Sequence, residues 1–388
     1  MSEAAAPNPV YPRPDSDRPQ RPGVQPGGTY VICAGGTGGH MVPAHCLALE
    51  LLARGHGVHL VTDARGLRFP GLFDGVPTTR IEAATTARSG WRAAPQVAWA
   101  IWQGRAAARR LYKQLRPRAI IGFGGYPALP GVLAGLSLYL PCLIHEQNAV
   151  LGRTNRYLAP RVRAIATSWP RVRRMHGAWA RRVHLIGNPV RPEVVAAGTM
   201  PFDAGAPMLH LLVTGGSQGA AVLNNVVPAA LALLPDAVRR SIRVTHQGRA
   251  EDHDAMRAAY AAAGIDAVVA AYLPDLPSVM ASAHIVIARS GASTVAELAV
   301  MGRPSVLVPL PIATDDHQAD NAAALVQAGG AVMIRQPAFN PETLAATLLP
   351  WLEDRTALAA AAAAARSAGQ PQAAAHLANL VIATGLIA

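Results

Sequence analysis

Short apolar runs alternate with longer alanine- and leucine-rich runs along most of the chain. Residues 30–34 (YVICA) form a short, wholly apolar run, which predicts a buried strand. A glycine loop follows, and the apolar spacing over 42–54 predicts a helix. Residues 57–62 (GVHLVT) return to a strand pattern. Strand, helix and strand in that order specify a parallel sheet with helices on its faces. The unit recurs: 208–213 (MLHLLV) reads as strand, a second glycine loop follows, and 220–234 reads as helix. The two loops, Gly35-Gly36-Thr37-Gly38-Gly39-His40 and Gly215-Gly216-Ser217-Gln218-Gly219-Ala220, stand 180 residues apart. Their like placement between strand and helix predicts two similar α/β domains.

The boundary falls at Gly187-Asn188-Pro189, where Asn-Pro marks a turn. This gives domains over 29–187 and 188–367, with a helix over 368–388 expected to pack back on the first domain. The alanine-rich stretch 357–366 also reads as helix. Residues 1–28 are rich in Pro, Ala, Asp and Arg and lack the apolar core of a signal peptide, so a disordered tail is expected. A length of 388 residues suffices for two domains with separate cores, and 51% hydrophobic residues exclude disorder of the whole. Residues 119–144 carry no charge and are long enough to cross a bilayer. Gly122, Gly124, Gly125, Pro127, Pro130 and Pro141 interrupt them, which predicts instead a buried strand, a loop, a helix and a second buried strand.

Charge narrows the function classes. The net charge is +12, and Lys113 is the single lysine, so a G-K-[ST] phosphate loop is excluded and Schiff-base chemistry is disfavoured. Between residues 83 and 192, eighteen Arg and Lys stand against one acid, Glu146, for a net +17; the rest of the chain is therefore acidic. No nucleic-acid motif accompanies this charge, and nucleic-acid binding is set aside. Within 91–116, Trp91, Trp99 and Trp102 precede Arg105, Arg109, Arg110, Lys113 and Arg116. Tryptophan beside arginine suits an anionic membrane surface, the alternative being that the tryptophans belong to the core. Cys33, Cys46 and Cys142 have neither disulfide nor metal spacing and read as reduced, buried thiols.

Four loops carry candidate chemistry. A glycine-rich turn into a helix offers backbone N–H groups and a positive dipole end to an anion. In the first loop Gly36-Thr37-Gly38 begins a dinucleotide fingerprint, but Met41 replaces its last glycine; Asp63 stands where a ribose-binding acid would, so that reading stays open. His40 ends this loop where the second has Ala220, and a histidine there can act as a general base or be an ordinary helix residue. The third loop, Arg289-Ser290-Gly291-Ala292-Ser293-Thr294-Val295-Ala296-Glu297, opens a helix suited to a diphosphate. Thr294 and Glu297 also fit a capping box, so Glu297 either caps its helix or accepts both hydroxyls of a ribose. The fourth loop, Asp315-Asp316-His317-Gln318-Ala319-Asp320-Asn321, suits sugar hydroxyls. Asp252-His253-Asp254 reads as a solvated helix start, and no metal site is expected.

GGTGGH, His145-Glu146-Gln147-Asn148, Gly187-Asn188-Pro189-Val190-Arg191, GGSQG and RSGASTVAE, in this order from Tyr30 towards the C-terminus, resemble the MurG family. The resemblance implies a GT-B fold, with two Rossmann-like domains facing a deep cleft. It implies inverting transfer of N-acetylglucosamine (GlcNAc) from UDP-GlcNAc to the muramoyl C4 hydroxyl of lipid I, undecaprenyl-diphospho-MurNAc-pentapeptide. It implies His40 as base and an acceptor-side role for Glu146. Thr37, Gly38, Gly39 and Asn148 would meet the sugar, and Gln318 would read its hydroxyls. Arg191, Ser217, Leu273 and the run Ala292, Ser293, Thr294, Val295, Ala296 and Glu297 would hold UDP. No cofactor or metal is implied. The expected location is the cytoplasmic face of the bacterial membrane, peripherally, with Trp99, Trp102, Arg105 and Arg109 towards the lipid and with other cell-wall synthesis proteins as partners. Tyr126-Pro127-Ala128-Leu129-Pro130 departs from the family's usual acceptor-side pattern. A UDP-GlcNAc 2-epimerase and a non-catalytic nucleotide-sugar binder are the alternatives.

Overall fold

The computed structural model describes residues 27–69, 71–82, 94–215, 220–311 and 313–386. Two parallel sheets carry the fold. The first contains β1 (Thr29–Cys33), β2 (Gly57–Thr62), β3 (Thr78–Arg80), β4 (Ala119–Gly122), β5 (Cys142–Glu146), β6 (Ala164–Thr167) and β7 (Val183–Leu185). Their spatial order is β3-β2-β1-β4-β5-β6-β7. The second contains β8 (Leu209–Thr214), β9 (Ile242–Gln247), β10 (Asp266–Ala270), β11 (Ile285–Ala288), β12 (Ser305–Leu307) and β13 (Ala331–Met333), ordered β10-β9-β8-β11-β12-β13. Save for β7, the two orders are the same. The paired glycine loops of the sequence therefore follow equivalent central strands, β1 and β8. In such sheets ligands sit beyond the carboxyl ends of the strands where the order reverses, here beside β1–β4 and β8–β11.

The centre of each sheet is covered on both faces, which is why strands such as β1, β4 and β11 read as apolar runs. In the first domain the helices are α1 (Gly38–Ala53), α2 (Ala94–Leu115), α3 (Gly125–Leu136) and α4 (Arg153–Leu158). In the second they are α5 (Pro192–Ala197), α6 (Ala221–Ala232), α7 (Asp236–Arg239), α8 (His253–Ala262), α9 (Leu276–Ser282), α10 (Ala292–Met301), α11 (His317–Ala328), α12 (Pro341–Glu353) and α13 (Arg355–Ser367). A last helix, α14 (Ala373–Leu386), follows. Alternate residues of β1 point to opposite faces. Tyr30 and Ile32 pack with Met41, Leu47 and Leu51 of α1, and α14 adds Leu377, Ala378 and Val381 to that same core. Val31 and Cys33 meet Ala108 and Tyr112 of α2 and Val132 of α3. Gly187, with φ +92°, leaves no room for a side chain: a Cβ there would lie 2.5 Å from Gln370, just before α14.

The helix expected over 42–54 starts earlier, at Gly38, because extended Thr37 already forms its N-cap. The uncharged stretch 119–144 resolves into β4, α3 and β5. Among the described residues no helix is long and apolar enough to cross a membrane. All three cysteines are free and buried. The tail over 1–26, Trp91 and most of the second glycine loop, 216–219 with Ser217, lie outside the described residues.

Three histidines are built into the central strands. His145 in β5 bonds the Gly187 carbonyl at 3.0 Å, His210 in β8 bonds Thr245 at 2.8 Å, and His246 in β9 bonds the Tyr260 hydroxyl at 2.8 Å. Burial pushes their pKa values down to about 4, about 4 and about 3, with nearby Arg243 and His284 adding to the effect at His210. Each binds a proton near pH 6.5 once unfolded. The unfolded chain therefore takes up protons that the fold refuses, so stability is full above pH 6.5 and falls as pH drops towards 4. Urea unfolding at pH 7.5 and pH 5 should show a clearly lower midpoint at pH 5; equal midpoints would contradict neutral burial of these rings.

Candidate active site

The first glycine loop leaves β1 under tight steric limits. A Cβ on Gly35 would lie 2.6 Å from Pro127 and 2.8 Å from Asp63, and Gly36 holds φ +89°. The loop delivers Thr37 and His40 to the start of α1, where Thr37 Oγ1 and His40 Nδ1 lie 3.1 Å apart. Opposite the ring is the turn after β4. Gly124 and Gly125 have positive φ, and a Cβ on Gly124 would lie 3.3 Å from the imidazole. Two glycines thus make room for a partly exposed histidine at the mouth of the first sheet. Desolvation holds its pKa at about 4; a hydrogen bond with Gly35 opposes this, while the charges of His317 and Arg65 reinforce it. The ring is therefore neutral at pH 7.

Glu146, at the end of β5, is buried, and burial raises its pKa against the pull of its hydrogen bonds. Its carboxylate accepts from the Asn148 N–H at 3.1 Å, Asn148 Nδ2 at 3.2 Å, the Gly152 N–H at 2.9 Å and Asn155 Nδ2 at 2.9 Å. Both oxygens are thus engaged by its own loop, and the group shapes that loop. Asn148 faces the second domain, where Asn321 Nδ2 donates to its Oδ1 at 3.1 Å.

On the opposite wall, Gly291 caps α10 without a side-chain hydrogen bond, so the first-turn N–H groups lack intrahelical partners. The hydroxyls of Ser290 and Ser293 are buried there and unpartnered. Ala292, Val295 and Ala296 are buried and Thr294 is partly so. The helix starts at Ala292, not after Thr294, so the capping box does not form. Glu297 instead lies in the second turn, buried, and accepts from Arg191 Nη2 at 3.2 Å. Burial raises its pKa and Arg191 offsets that rise. Arg191 caps α5, with Pro192 in the first helical position, and keeps a buried, unpartnered Nε. Leu273 packs on the core beneath α10. Gln318 is the second residue of α11, and its Oε1 accepts from the Leu310 N–H at 3.0 Å. Thr37 and Gly39 are exposed and Gly38 half-buried.

The dinucleotide reading fails on Asp63. Its carboxylate is buried and turned to its own loop, accepting from the Gly66 N–H at 3.0 Å and from Arg65 at 2.7 and 2.8 Å. Asp252, His253 and Asp254 each have a local partner, in Asn224, the Gly248 carbonyl and Arg257. Among the described residues no group of three His, Cys, Asp or Glu could hold a metal. Two features went unread in the sequence: the room made by Gly124-Gly125 for His40, and Asn321 as a link between domains. Paired glycines after a strand were the available signal for the first.

Comparison with known proteins agrees with this geometry. The model of the glycosyltransferase family 28 N-terminal domain matches residues 30–167, and that of the C-terminal domain matches 210–377. A Zymomonas mobilis protein is 49% identical over 92% of both chains. A Rhodospirillum centenum protein is 50% identical over 92% of this chain and 94% of its own. Both are named UDP-N-acetylglucosamine–N-acetylmuramyl-(pentapeptide) pyrophosphoryl-undecaprenol N-acetylglucosamine transferase. Among solved structures, Acinetobacter baumannii MurG superposes with a TM-score of 0.76 at 32% identity, covering 91% of this chain and 99% of that one. A Listeria monocytogenes protein titled putative UDP-N-acetylglucosamine 2-epimerase, 14% identical with a TM-score of 0.60, shares the fold alone. The chain belongs to glycosyltransferase family 28 and, within it, to the MurG family of N-acetylglucosamine transferases.

Proposed function

We infer that this chain transfers GlcNAc from UDP-GlcNAc to the C4 hydroxyl of the MurNAc unit of lipid I, giving lipid II. One observation carries the reading: α1, whose first turn holds His40, packs against α10, whose open N-terminus lies beside the Arg191–Glu297 pair. His40 accepts the proton of the acceptor hydroxyl as its oxygen attacks the anomeric carbon. The bond to UDP breaks on the opposite face, so the configuration inverts. Charge gathering on the diphosphate meets the α10 N–H groups, the Ser290 and Ser293 hydroxyls and Arg191. These groups can offset that charge without a metal. Glu297 accepts the ribose hydroxyls, with Ser217 and Leu273 completing the nucleotide site. Thr37, Gly38, Gly39 and Asn148 border the sugar, Gln318 reads its hydroxyls, and Glu146 holds the Asn148 loop in place.

His40→Ala should lower kcat by about 10²–10⁴-fold while donor affinity is nearly kept. Glu297→Gln should chiefly raise the donor KM. Steady-state transfer assays separate the two; an H40A enzyme of full turnover would remove the base assignment.

The same reading places α2 against an anionic membrane on the cytoplasmic side. Gly104, Ala108 and Tyr112 form its inner face; a Cβ on Gly104 would lie 2.4 Å from the Glu82 carbonyl. Outward, Trp99 and Trp102 are each 58% exposed and stack at 4.9 Å, which sets aside the core alternative for both. Trp102, Arg105, Arg109, Arg110 and Lys113 line one shallow groove beside them. Each arginine near an anionic surface contributes about 1 kcal/mol, so Arg109→Ala with Arg110→Ala should weaken binding to anionic vesicles roughly thirtyfold. Co-sedimentation checks this; unchanged binding would move the lipid-facing surface elsewhere.

A further inference from the structure

Among the described residues, five non-glycine residues hold positive φ: Arg116, Tyr139, Arg174, Asp315 and Asp316. Two of these five, Arg174 and Asp315, meet across the two domains, and a third, Asp316, follows Asp315 in the same turn. L-residues seldom adopt this conformation, and it persists where surrounding contacts enforce it. Here the contacts are ionic. Arg174 Nη2 lies 2.9 Å from Asp315 Oδ1, and Arg156 Nη2 lies 3.5 Å from Asp315 Oδ2. Arg173 donates to the Asp315 carbonyl and, at 3.0 and 2.6 Å, to Asp320 Oδ2. Asp316 is held from its own domain by Arg335 at 3.0 Å.

The two sides differ in how they are anchored. Arg173 is pinned by its backbone: its N–H donates to the Ala149 carbonyl at 2.8 Å and its carbonyl accepts from Leu151 at 2.9 Å. That is the loop of Asn148, fixed in turn by Glu146. Asp315 and Asp316 belong to the turn that enters α11 directly, and Gln318 is the second residue of that helix. A lone exposed ion pair does little. Here the Asp315 side chain is only 19% exposed and is gripped at both oxygens and at its carbonyl.

We propose that Arg173 and Arg174 are positioning residues for the donor sugar. Reaching from the first domain, they hold the Asp315 turn of the second domain in its left-handed shape and so present Gln318. Donor recognition is thereby coupled to this contact between the two domains. The inference rests on the reading of Gln318 as the group that meets the sugar hydroxyls.

The test uses the full chain carrying Arg173→Gln and Arg174→Gln, with UDP-GlcNAc, its C4 epimer UDP-GalNAc, and UDP alone as inhibitor. The donor KM should rise roughly tenfold, as expected for lost charged hydrogen bonds, and the preference over the epimer should shrink. Saturated kcat and inhibition by UDP should stay near the parental values. Asp315→Asn, nearly isosteric, should give the same pattern and serves if the double variant misfolds. Unchanged KM and preference, or a fall in kcat alone, would overturn the inference. Gln318→Ala distinguishes the causes. If Q318A alters preference and the arginine variant does not, the coupling is wrong; if Q318A itself alters nothing, the reading of Gln318 is wrong and the coupling falls with it.

Discussion

Asn321 is the point on which the cleft depends. It is fully buried in α11 yet works across the domain boundary. Its Oδ1 accepts from the Ala149 N–H at 2.8 Å, and its Nδ2 donates to Asn148 Oδ1 at 3.1 Å and to the Ser290 carbonyl at 3.3 Å. One amide thus joins the loop after β5 to the loop after β11. Stranding the buried Ala149 N–H or Ser290 carbonyl costs about 1–3 kcal/mol, so these bonds favour one relative placement. The Glu146 carboxylate makes the first loop stiff enough to be gripped, and the arginine–aspartate contact reinforces the link at its edge.

That arrangement divides the chemistry. Basic charge is concentrated in the first domain and its borders, with the net +17 between residues 83 and 192. The second domain supplies neutral donors at α10 and a single buried carboxylate, Glu297, offset by Arg191. Arg191, just beyond the turn at Gly187, reaches Glu297 of α10. His40 lies outside that segment, and desolvation, reinforced by the nearby charges of His317 and Arg65, lowers its pKa.

Much of the architecture was legible in order and spacing. Unbroken apolar runs such as 30–34 and 208–213 can be buried on both faces only in a parallel sheet, and their glycine loops marked the two equivalent central strands. Element ends were less legible: a strand's last residue and a helix's cap share the extended conformation, and Thr37 hid the true start of α1. The site's layout was legible where placement is local, as with His40 at the helix start after its glycines. It was opaque where the partner is remote in sequence. Glu297 fitted a capping box by spacing, and its actual partner, Arg191, is 106 positions away. Asp63 fitted a ribose acid until Arg65 occupied it. Asn321 offered no signal, since its three partners lie 31 to 173 positions distant.

The measurement that bears most directly on the whole account is transfer of labelled GlcNAc from UDP-GlcNAc to a lipid I analogue by the purified chain, with and without EDTA. Lipid II formed equally in both conditions, with inverted configuration at the new linkage, is the predicted result. No product, with UDP-GlcNAc epimerised or only bound, would contradict it.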